Sequence, residues 1–265
     1  MILHAHNAAQ NGFRVVVIKT VDTDVVVLAL ANYCHIPSTE LWVAFGTGAN
    51  FRYIPVHKVA AALGHDKCAA LPAFHSITGC DTTSSFVGRG KKSAWKTWLC
   101  FPAATAAFAE LSAMPSEVSD SCFSVIEQFV ILLYDRTNSL TSVDAARKQL
   151  FSRKSRTLDN IPPTKDALQQ HVKRASYQAG HVWGQSLLTD PCLPSPSEWG
   201  WKLVNGEWKP VWITIPQAAE TCPELLRCGC KTSCTSRRCK CVRANLQCTS
   251  LCAGDGECER DNDDD

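Results

Sequence analysis

The sequence has no run of about 20 consecutive apolar residues and no secretory signal, so nothing in it predicts a membrane span or a membrane partner. It also lacks a global excess of charge, because the formal net charge is only +2. That balance excludes a polycation that coats nucleic acid along its whole length. Apolar residues make up 45% and charged residues 20% of the 265 positions, which is typical of one globular domain with room for a small module.

Cysteine, by contrast, is concentrated near the C-terminal end. Eight of the 15 cysteines fall between residues 228 and 258, with the spacing C-x-C-x3-C-x4-C-x-C-x6-C-x3-C-x5-C. These eight are Cys228, Cys230, Cys234, Cys239, Cys241, Cys248, Cys252 and Cys258. So short a segment cannot bury enough apolar surface to order itself, so either disulfides or thiolate-bound zinc must hold it together.

The surroundings of the cysteines favour zinc. Cys34, Cys68, Cys80, Cys100 and Cys122 are scattered through apolar sequence, as free buried thiols are in a reducing compartment. Residues 227–250 hold six cations and no carboxylate, and positive charge stabilises the thiolates that a metal requires. Eight thiolates suffice either for two separate zinc ions or for a cluster with bridging sulfurs, and the spacing does not decide between these arrangements.

The spacing resembles the tesmin-type CXC domain, a zinc module also found in chromatin proteins. The matching text is Cys228-Gly-Cys230, Arg238-Cys239-Lys-Cys241 and Cys248-Thr-Ser-Leu-Cys252, while the usual C-x-C-x2-C ending is replaced and one ligand is missing. The resemblance implies two or three zinc ions, DNA as the partner and a nuclear location, with the cytoplasm as the other possibility. It assigns DNA contacts to Lys231, Arg237, Arg238, Lys240 and Arg243.

The first 100 residues alternate apolar strands with helical segments. Strands are predicted at Phe13–Ile18, Leu41–Phe45 and Phe51–Ile54, and we expect the first to be buried because it is almost continuously apolar. Helical patterns occupy Leu3–Asn11, Val25–Tyr33, Val56–Leu63 and Lys67–Ile77, with Asp24 as a cap and with Gly64 and Pro72 as interruptions. Together these elements predict the α/β class with a partial parallel sheet.

Helical patterns then continue to about residue 188. They cover Ser93–Leu99, Ala103–Met114, Val118–Tyr134, Val143–Phe151 and Lys165–Leu187. Prolines and tryptophans follow, which predicts an irregular linker whose tryptophans pack onto the body and whose segment Trp208–Ile215 can form a strand. We therefore expect a core at 1–100, a helical extension at 101–190, a linker at 191–221, a zinc module at 222–260 and an acidic tail at 261–265.

Three aspartates lie where a site is expected in an α/β fold. Asp22 and Asp24 follow the first strand, and Asp81 lies in the turn Gly79-Cys80-Asp81. Ligands of open α/β sheets bind beyond the carboxyl ends of the strands. Clustered carboxylates repel one another, so they are stabilised by a hard cation such as magnesium. Two magnesium ions can catalyse phosphodiester hydrolysis by activating a water and stabilising the leaving oxygen. The same spacing also occurs in ordinary caps and loop pairs, and that interpretation stays open.

Residues 1–100 also resemble the second half of the flap-endonuclease nuclease core, which is a PIN-like fold. The matching text is Val21-Asp22-Thr-Asp24, Gly79-Cys80-Asp81 and the stretch Phe86–Trp95, which is similar to the entry of a helix–turn–helix that grips duplex backbone. The resemblance implies that Asp22, Asp24 and Asp81 are catalytic metal ligands. It implies phosphate contacts for Arg89, Lys91, Lys92 and Lys96. Because the family's earlier acidic box is absent, we expect a truncated or degenerate core.

Three functional hypotheses follow from these patterns. The first is a nucleic-acid-binding protein with a CXC zinc module and a nuclease-like core, which would be a magnesium-dependent phosphodiesterase if it is active. The second is a non-catalytic DNA- or chromatin-binding protein, and the third is a scaffold with structural zinc. The combination of core and zinc module resembles uncharacterised animal proteins that are associated with mobile elements.

Overall fold

The computed structural model describes residues 1–152, 160–214, 227–230, 239–243, 248 and 252–253. The chain divides into two compact units, which we call the main unit and the cysteine unit. The main unit comprises Met1–Arg147 and Leu158–Thr214, and the cysteine unit comprises Lys148–Thr157 and Ile215–Asp265. The segment predicted as a linker from residue 191 therefore belongs, up to Thr214, to the main unit.

The main unit contains a three-stranded sheet of mixed direction. Its strands are β1 (Val15–Thr20), β2 (Glu40–Phe45) and β3 (Arg52–Pro55), in the order β1-β2-β3. β1 pairs with β2 in parallel, whereas β2 pairs with β3 in antiparallel. The predicted α/β class is confirmed, but the expectation of a parallel sheet is wrong for β3, because Gly46 turns the chain back directly after β2. Gly46 has φ +87°, and an added Cβ would lie 2.8 Å from the carbonyl oxygen of Asn50.

The first strand lies at the edge of this sheet rather than in its middle. Val16 and Ile18 face the core, while Val15 and Val17 are 57% and 54% exposed. The expectation of a buried strand is therefore wrong. A continuous apolar run indicates a strand covered on both faces, but β1 has one paired edge and one covered face among the described residues.

Nine helices of at least eight residues lie in the described ranges. They are α1 (Ile2–Gln10), α2 (Thr23–Ala31), α3 (Val56–Leu63), α4 (His65–Ile77), α5 (Lys91–Cys100), α6 (Ala104–Ser112), α7 (Asp120–Tyr134), α8 (Val143–Ser152) and α9 (Lys165–Ser176). The helical segments predicted from the sequence are confirmed in kind. α9, however, ends eleven residues before the predicted Leu187, and the chain continues as the π-helix Tyr177–Val182.

Helix α4 is the centre of the main unit. It packs against α2, α3, α6 and α9, and its residues from Ala70 to Ile77 are all buried. Phe74 starts a chain of ring contacts to Trp98, Phe108 and Phe129, with centroids 4.8, 5.2 and 5.2 Å apart. These rings connect α4 to α5, α6 and α7, so the aromatic residues of the helical half form one core with it.

The expected interruption at Pro72 does not occur, because α4 continues through it to Ile77. A proline inside a helix removes one amide donor and disturbs the hydrogen bonds of the preceding turn. Here the backbone amide of Ala73 donates to the Ser112 hydroxyl at 3.1 Å, and that hydroxyl donates in turn to the Phe108 carbonyl at 2.9 Å. Packing against α6 thus satisfies the amide that the distortion leaves available.

The segment after residue 191 is ordered around a β-hairpin. β4 (Trp201–Val204) pairs in antiparallel with β5 (Glu207–Pro210), and Asn205 and Gly206 join them with φ +52° and +81°. Two positive φ angles are the signature of the tight turn that Asn-Gly favours between strands. The strand predicted at Trp208–Ile215 therefore begins and ends earlier. Trp199 is 3% exposed and its ring contacts those of Tyr177 and His181 at tilted angles, so the predicted packing of tryptophans onto the body is confirmed for this residue.

Two further features bear on the class of protein. No helix in the described ranges combines the length and apolar character needed to cross a bilayer. Cys34, Cys68, Cys80, Cys100 and Cys122 are free thiols, as expected from their scattered positions. Only Cys68 and Cys122 are buried, whereas Cys34 and Cys100 are exposed, so the expectation of burial is wrong for those two.

Candidate metal centre

Four cysteines of the cysteine unit converge on one point. The sulfur atoms of Cys228, Cys239, Cys241 and Cys248 all lie within 4.8 Å of one another. The Sγ atoms of Cys228 and Cys248 are 3.8 Å apart. For zinc–sulfur bonds of about 2.3 Å, a tetrahedral site has sulfur–sulfur edges of about 3.8 Å. The group therefore has the number, type and spacing of ligands that a tetrahedral metal ion requires, and it is compatible with zinc.

Short backbone elements position these sulfurs. Cys239 precedes the helical turn Lys240–Arg243, and the amide of Arg243 donates to the carbonyl of Cys239 at 3.0 Å. The amide of Ala253 donates to the Cys228 carbonyl at 3.1 Å, which joins the two ends of the cysteine-rich segment. Three of the four cysteines are buried and Cys248 is half-buried, so the ligand group is largely shielded from water.

A fifth cysteine, Cys252, adjoins the group. Its Sγ lies 3.6 Å from that of Cys241 and accepts a hydrogen bond from the Cys228 amide at 3.4 Å. Burial, together with the hydrogen bond and the charge of Cys252, raises the pKa of the Cys241 thiol to about 12. A buried thiol of this kind is protonated at neutral pH unless a cation compensates the thiolate. Binding of a divalent metal supplies that compensation and releases protons.

The other predicted ligands and contacts of this unit are placed as follows. Cys230 is half-buried and packs against the buried cysteines. Lys240 and Arg243 are exposed on either side of Cys241. Cys234, Cys258, Lys231, Arg237 and Arg238 lie outside the described residues. The structure thus brings four of the eight predicted zinc ligands together in one group and places Cys252 and Cys230 beside it.

The three predicted catalytic aspartates are arranged differently. Asp22 is the N-cap of α2, since its Oδ1 accepts the amide of Asp24 at 2.8 Å, so the expected capping by Asp24 itself is wrong. Asp24 lies in the first turn, and its Oδ1 is 2.8 Å from Nε2 of His75 on α4. Asp81 is exposed in a turn closed by Cys80 and Thr83. Among the described residues the cysteines are the one convergent group of ligands, and these aspartates do not form another.

His75 pairs with Asp24, although nothing in the sequence pattern predicts that contact. Its side chain is 7% exposed and that of Asp24 is 22% exposed, so the pair joins α2 to α4 inside the main unit. Burial and the nearby Lys91 ammonium lower the pKa of His75, although Asp24 opposes them. The sequence signal for this pair is the position of His75 in an apolar stretch of helix, which indicates burial but not a partner 51 residues away.

Of the four predicted phosphate contacts in and before α5, two are exposed to solvent and two make contacts within the protein. Lys92 and Lys96 are exposed and lie one turn apart on α5. Lys91 instead donates to the carbonyls of His75 and Gly79 and to the Thr78 hydroxyl, at 2.8, 2.5 and 3.1 Å. Arg89 is half-buried with its guanidinium 4.9 Å from the centre of the Tyr134 ring. Lys91 therefore uses its three donors to close the C-terminal end of α4, whereas Lys92 and Lys96 face solvent.

Comparison with known proteins adds no relative. No protein-family model, no curated protein and no solved structure matches this chain. The class defined by the fold and the site is a mixed α/β protein with a cysteine-rich unit that can hold a metal ion.

Proposed function

We propose that this chain is a zinc-stabilised nucleic-acid-binding protein, in which the cysteine unit supplies the contact with the polyanion. The observation that carries the proposal is the convergent sulfur group of Cys228, Cys239, Cys241 and Cys248. A zinc site at this point fixes the turn Lys240–Arg243, whose two cations are exposed. Exposed cations held by a rigid metal site provide the phosphate contacts from which non-specific nucleic-acid affinity arises.

More than one zinc ion is part of this proposal. Cys241 belongs to the four-sulfur group, and its Sγ is also 3.6 Å from that of Cys252, which is not a member of the group. A sulfur in such a position can bridge two ions, and eight cysteines are available for two or three sites. The expected metal content is therefore at least two zinc ions per chain.

Binding without cleavage is the better supported form of the proposal for the main unit. Asp22 caps helix α2 and Asp24 is hydrogen-bonded to His75, so two of the three carboxylates already have intramolecular partners. Magnesium-dependent phosphodiester hydrolysis remains the second candidate, because Asp22 and Asp24 follow β1 at the carboxyl end of a parallel strand pair. Under either form, Lys92 and Lys96 are the proposed phosphate contacts of α5.

The metal is tested by mass spectrometry of the native full-length protein and by elemental analysis. We expect at least two zinc ions per chain, and loss of at least one in Cys241→Ser. Cys100→Ser is the matched control, because Cys100 is an exposed free thiol outside the group. Equal zinc content in the two variants, or a wild-type protein without zinc, would contradict the proposal.

Nucleic-acid binding is tested by fluorescence anisotropy with a short DNA duplex at several salt concentrations. The double variant Lys240→Ala/Arg243→Ala should bind more weakly and show a salt slope that is shallower by about 1 to 2, since each lost phosphate contact removes about 0.9 from it. Lys58→Ala removes an exposed cation of the main unit and serves as the control. A wild-type protein that does not bind DNA at low salt would leave only the scaffold hypothesis.

Cleavage is tested separately with flap and hairpin DNA in the presence of magnesium. The favoured form of the proposal predicts no metal-dependent cleavage. Magnesium-dependent cleavage that disappears in Asp81→Asn would instead establish the phosphodiesterase.

A further inference from the structure

The main unit contains a cavity of about 340 Å³, which is within the usual size range of small-molecule sites. Its walls come from five stretches of the chain: the loop before α5, the last residue of α7, the middle of α8, the segment from Ile161 to Arg174 that leads into α9, and the segment after β5. The residues that matter for its chemistry are Phe86, Tyr134, Arg147, His171, Arg174 and Trp212. All of them belong to the main unit, so the cavity does not depend on the cysteine unit.

Two guanidinium groups line this cavity. Arg174 is only 3% exposed and donates to the carbonyls of Gly200 and Val211. Arg147 is half-buried and donates to the carbonyl of Pro162. In the part of the chain that the structure describes, neither arginine lies within 4.0 Å of a carboxylate oxygen. The charge of Asp144, which is farther away, only partly opposes the lowering of the Arg147 pKa by burial. A buried cation without a carboxylate partner is costly, and an anionic ligand offsets that cost.

The remaining polar residues of the cavity add donors but no charge. Burial lowers the pKa of His171 to about 4, so the ring is neutral at pH 7. Its Nε2 lies 2.8 Å from the Ile77 carbonyl, which identifies Nε2 as the protonated nitrogen. Burial also raises the pKa of Tyr134, which therefore keeps its hydroxyl proton. The cavity thus carries two positive charges, from Arg147 and Arg174, with neutral hydrogen-bonding groups beside them.

Flat apolar surfaces form the rest of the wall. Phe86 is 8% exposed and lies edge-on to both Tyr134 and His171, with centroids 6.4 and 5.2 Å apart. Trp212 is 61% exposed, and the Arg174 guanidinium lies 5.4 Å from its ring centre. An exposed indole next to a buried cation offers a stacking surface directly beside the charge.

We propose that this cavity binds an aromatic phosphomonoester of the size of a mononucleotide, with the phosphate between Arg147 and Arg174 and the flat ring against Trp212. A phosphomonoester carries a charge of about −1.5 to −2 at pH 7, which matches two guanidinium groups, whereas a carboxylate would neutralise only one. Arginine also binds phosphate through paired hydrogen bonds, for which lysine has no equivalent geometry. The inference does not depend on zinc or on nucleic-acid binding.

The test is isothermal titration calorimetry of the full-length protein with adenosine 5′-monophosphate, uridine 5′-monophosphate, adenosine and inorganic phosphate. We expect both nucleotides to bind with dissociation constants below about 1 mM, and adenosine and inorganic phosphate each to bind at least about tenfold more weakly. The proposal is overturned if neither nucleotide binds measurably at concentrations up to about 1 mM. Adenosine that binds as tightly as the nucleotides would also overturn it, because the phosphate would then contribute nothing to binding. Inorganic phosphate that binds as tightly would do the same, because the ring would then contribute nothing.

Variants locate the binding. Arg147→Ala and Trp212→Ala should each weaken nucleotide binding about tenfold or more, because loss of a charge-assisted hydrogen bond or of a stacking surface has effects of that size. Arg136→Ala is the matched control, since Arg136 is exposed two residues after Tyr134 and does not line the cavity. Thermal melting of each variant without ligand verifies folding. Unchanged affinity in a folded Arg147→Ala would overturn the assignment, and Arg147→Lys, which keeps the charge, should bind with intermediate affinity.

Discussion

Lys91 and Lys92 are neighbours in the sequence with opposite environments. The ammonium of Lys91 is surrounded by the carbonyls of His75 and Gly79 and the Thr78 hydroxyl, and burial lowers its pKa. The side chain of Lys92 is exposed. The sequence resemblance treats the two as equivalent phosphate contacts, but only their surroundings determine which one stabilises the fold.

Replacement of these two lysines should separate stability from binding. We expect Lys91→Ala to lower the free energy of unfolding by about 1–3 kcal/mol, because several buried hydrogen-bond acceptors lose a charged donor. Lys92→Ala should change the free energy of unfolding by less than about 0.5 kcal/mol, as is usual for an exposed side chain. Urea unfolding of both variants, followed by tryptophan fluorescence, makes the comparison. Similar losses in the two variants would contradict the assigned role of Lys91.

His171 makes the stability of the main unit depend on pH. Its pKa is lowered from 6.5 to about 4 in the folded state, mainly by burial. The unfolded chain therefore takes up a proton near pH 6.5, whereas the folded chain does so only near pH 4. The free energy of unfolding should consequently fall as the pH decreases between these values, by up to about 3 kcal/mol from this residue. His75 and His181 act in the same direction, since burial lowers their pKa as well.

The contribution of His171 is measured by urea unfolding at pH 7 and pH 5. A zinc chelator is present at both pH values, so that pH-dependent loss of metal does not contribute to the measured difference in stability. His171→Gln should be less stable at pH 7 and should show a smaller difference between the two pH values. An equal difference in wild type and variant would show that His171 does not titrate in this window.

At the scale of elements, the close approach of α6 to the π-helix Tyr177–Val182 depends on one glycine. A Cβ added to Gly180 would lie 2.8 Å from the Leu111 carbonyl oxygen and 3.0 Å from the Met114 amide nitrogen, both of which are backbone atoms. Neither neighbour can move without moving α6 or the loop after it. Small residues are therefore required at this contact, for the same reason that they allow two backbones to approach closely elsewhere.

We expect Gly180→Ala to lower the free energy of unfolding by about 1–3 kcal/mol, as overpacking does in well-packed interiors. Gly90→Ala is the control, because a Cβ added there would meet nothing within 4 Å and the φ of Gly90 is −76°. Gly90 is the N-cap of α5, where alanine is less favourable than glycine, so we expect that substitution to cost less than about 1 kcal/mol. Thermal melting of the two variants decides the matter, and an unaffected Gly180→Ala would show that the two backbones can separate at little cost.

Local patterns predicted the kinds of element better than their arrangement. Apolar periodicity gave the helices and the three strands of the first sheet, because burial of one face fixes such patterns. It failed at Pro72, where a hydroxyl on another helix satisfies the Ala73 amide, since a partner 39 residues away leaves no local signal. Asn205-Gly206 was an available signal for the hairpin, because that pair favours the positive φ angles observed there.

The candidate site divides in the same way. The cysteine pattern predicted a metal centre, because sulfur ligands must be close in sequence when no large core positions them. The aspartates were predicted to converge because family resemblance was extended to their geometry, and nothing in their spacing specified the partner of Asp24. The cavity with Arg147 and Arg174 was not predicted at all, since its walls come from five separate parts of the chain.

At the scale of the whole molecule, the two units should respond differently to loss of metal. The main unit has an apolar and aromatic core, whereas the buried residues described in the cysteine unit are four cysteines and Leu150. A chelator should therefore unfold the cysteine unit and leave the melting temperature of the main unit within about 2 °C of its original value, since a unit with its own core unfolds independently. Limited proteolysis followed by mass spectrometry, together with differential scanning calorimetry, measures both effects. A cysteine unit that resists protease after chelation would contradict the metal-dependent fold.

The cysteine unit is assembled from two stretches of chain that are far apart in sequence. Lys148–Thr157 is grouped with Ile215–Asp265, and the guanidinium of Arg227 lies 4.9 Å from the ring centre of Phe151. Expression of residues 215–265 by themselves would leave that aromatic ring behind. The cysteine unit is therefore better studied within the intact chain than as the isolated segment 215–265.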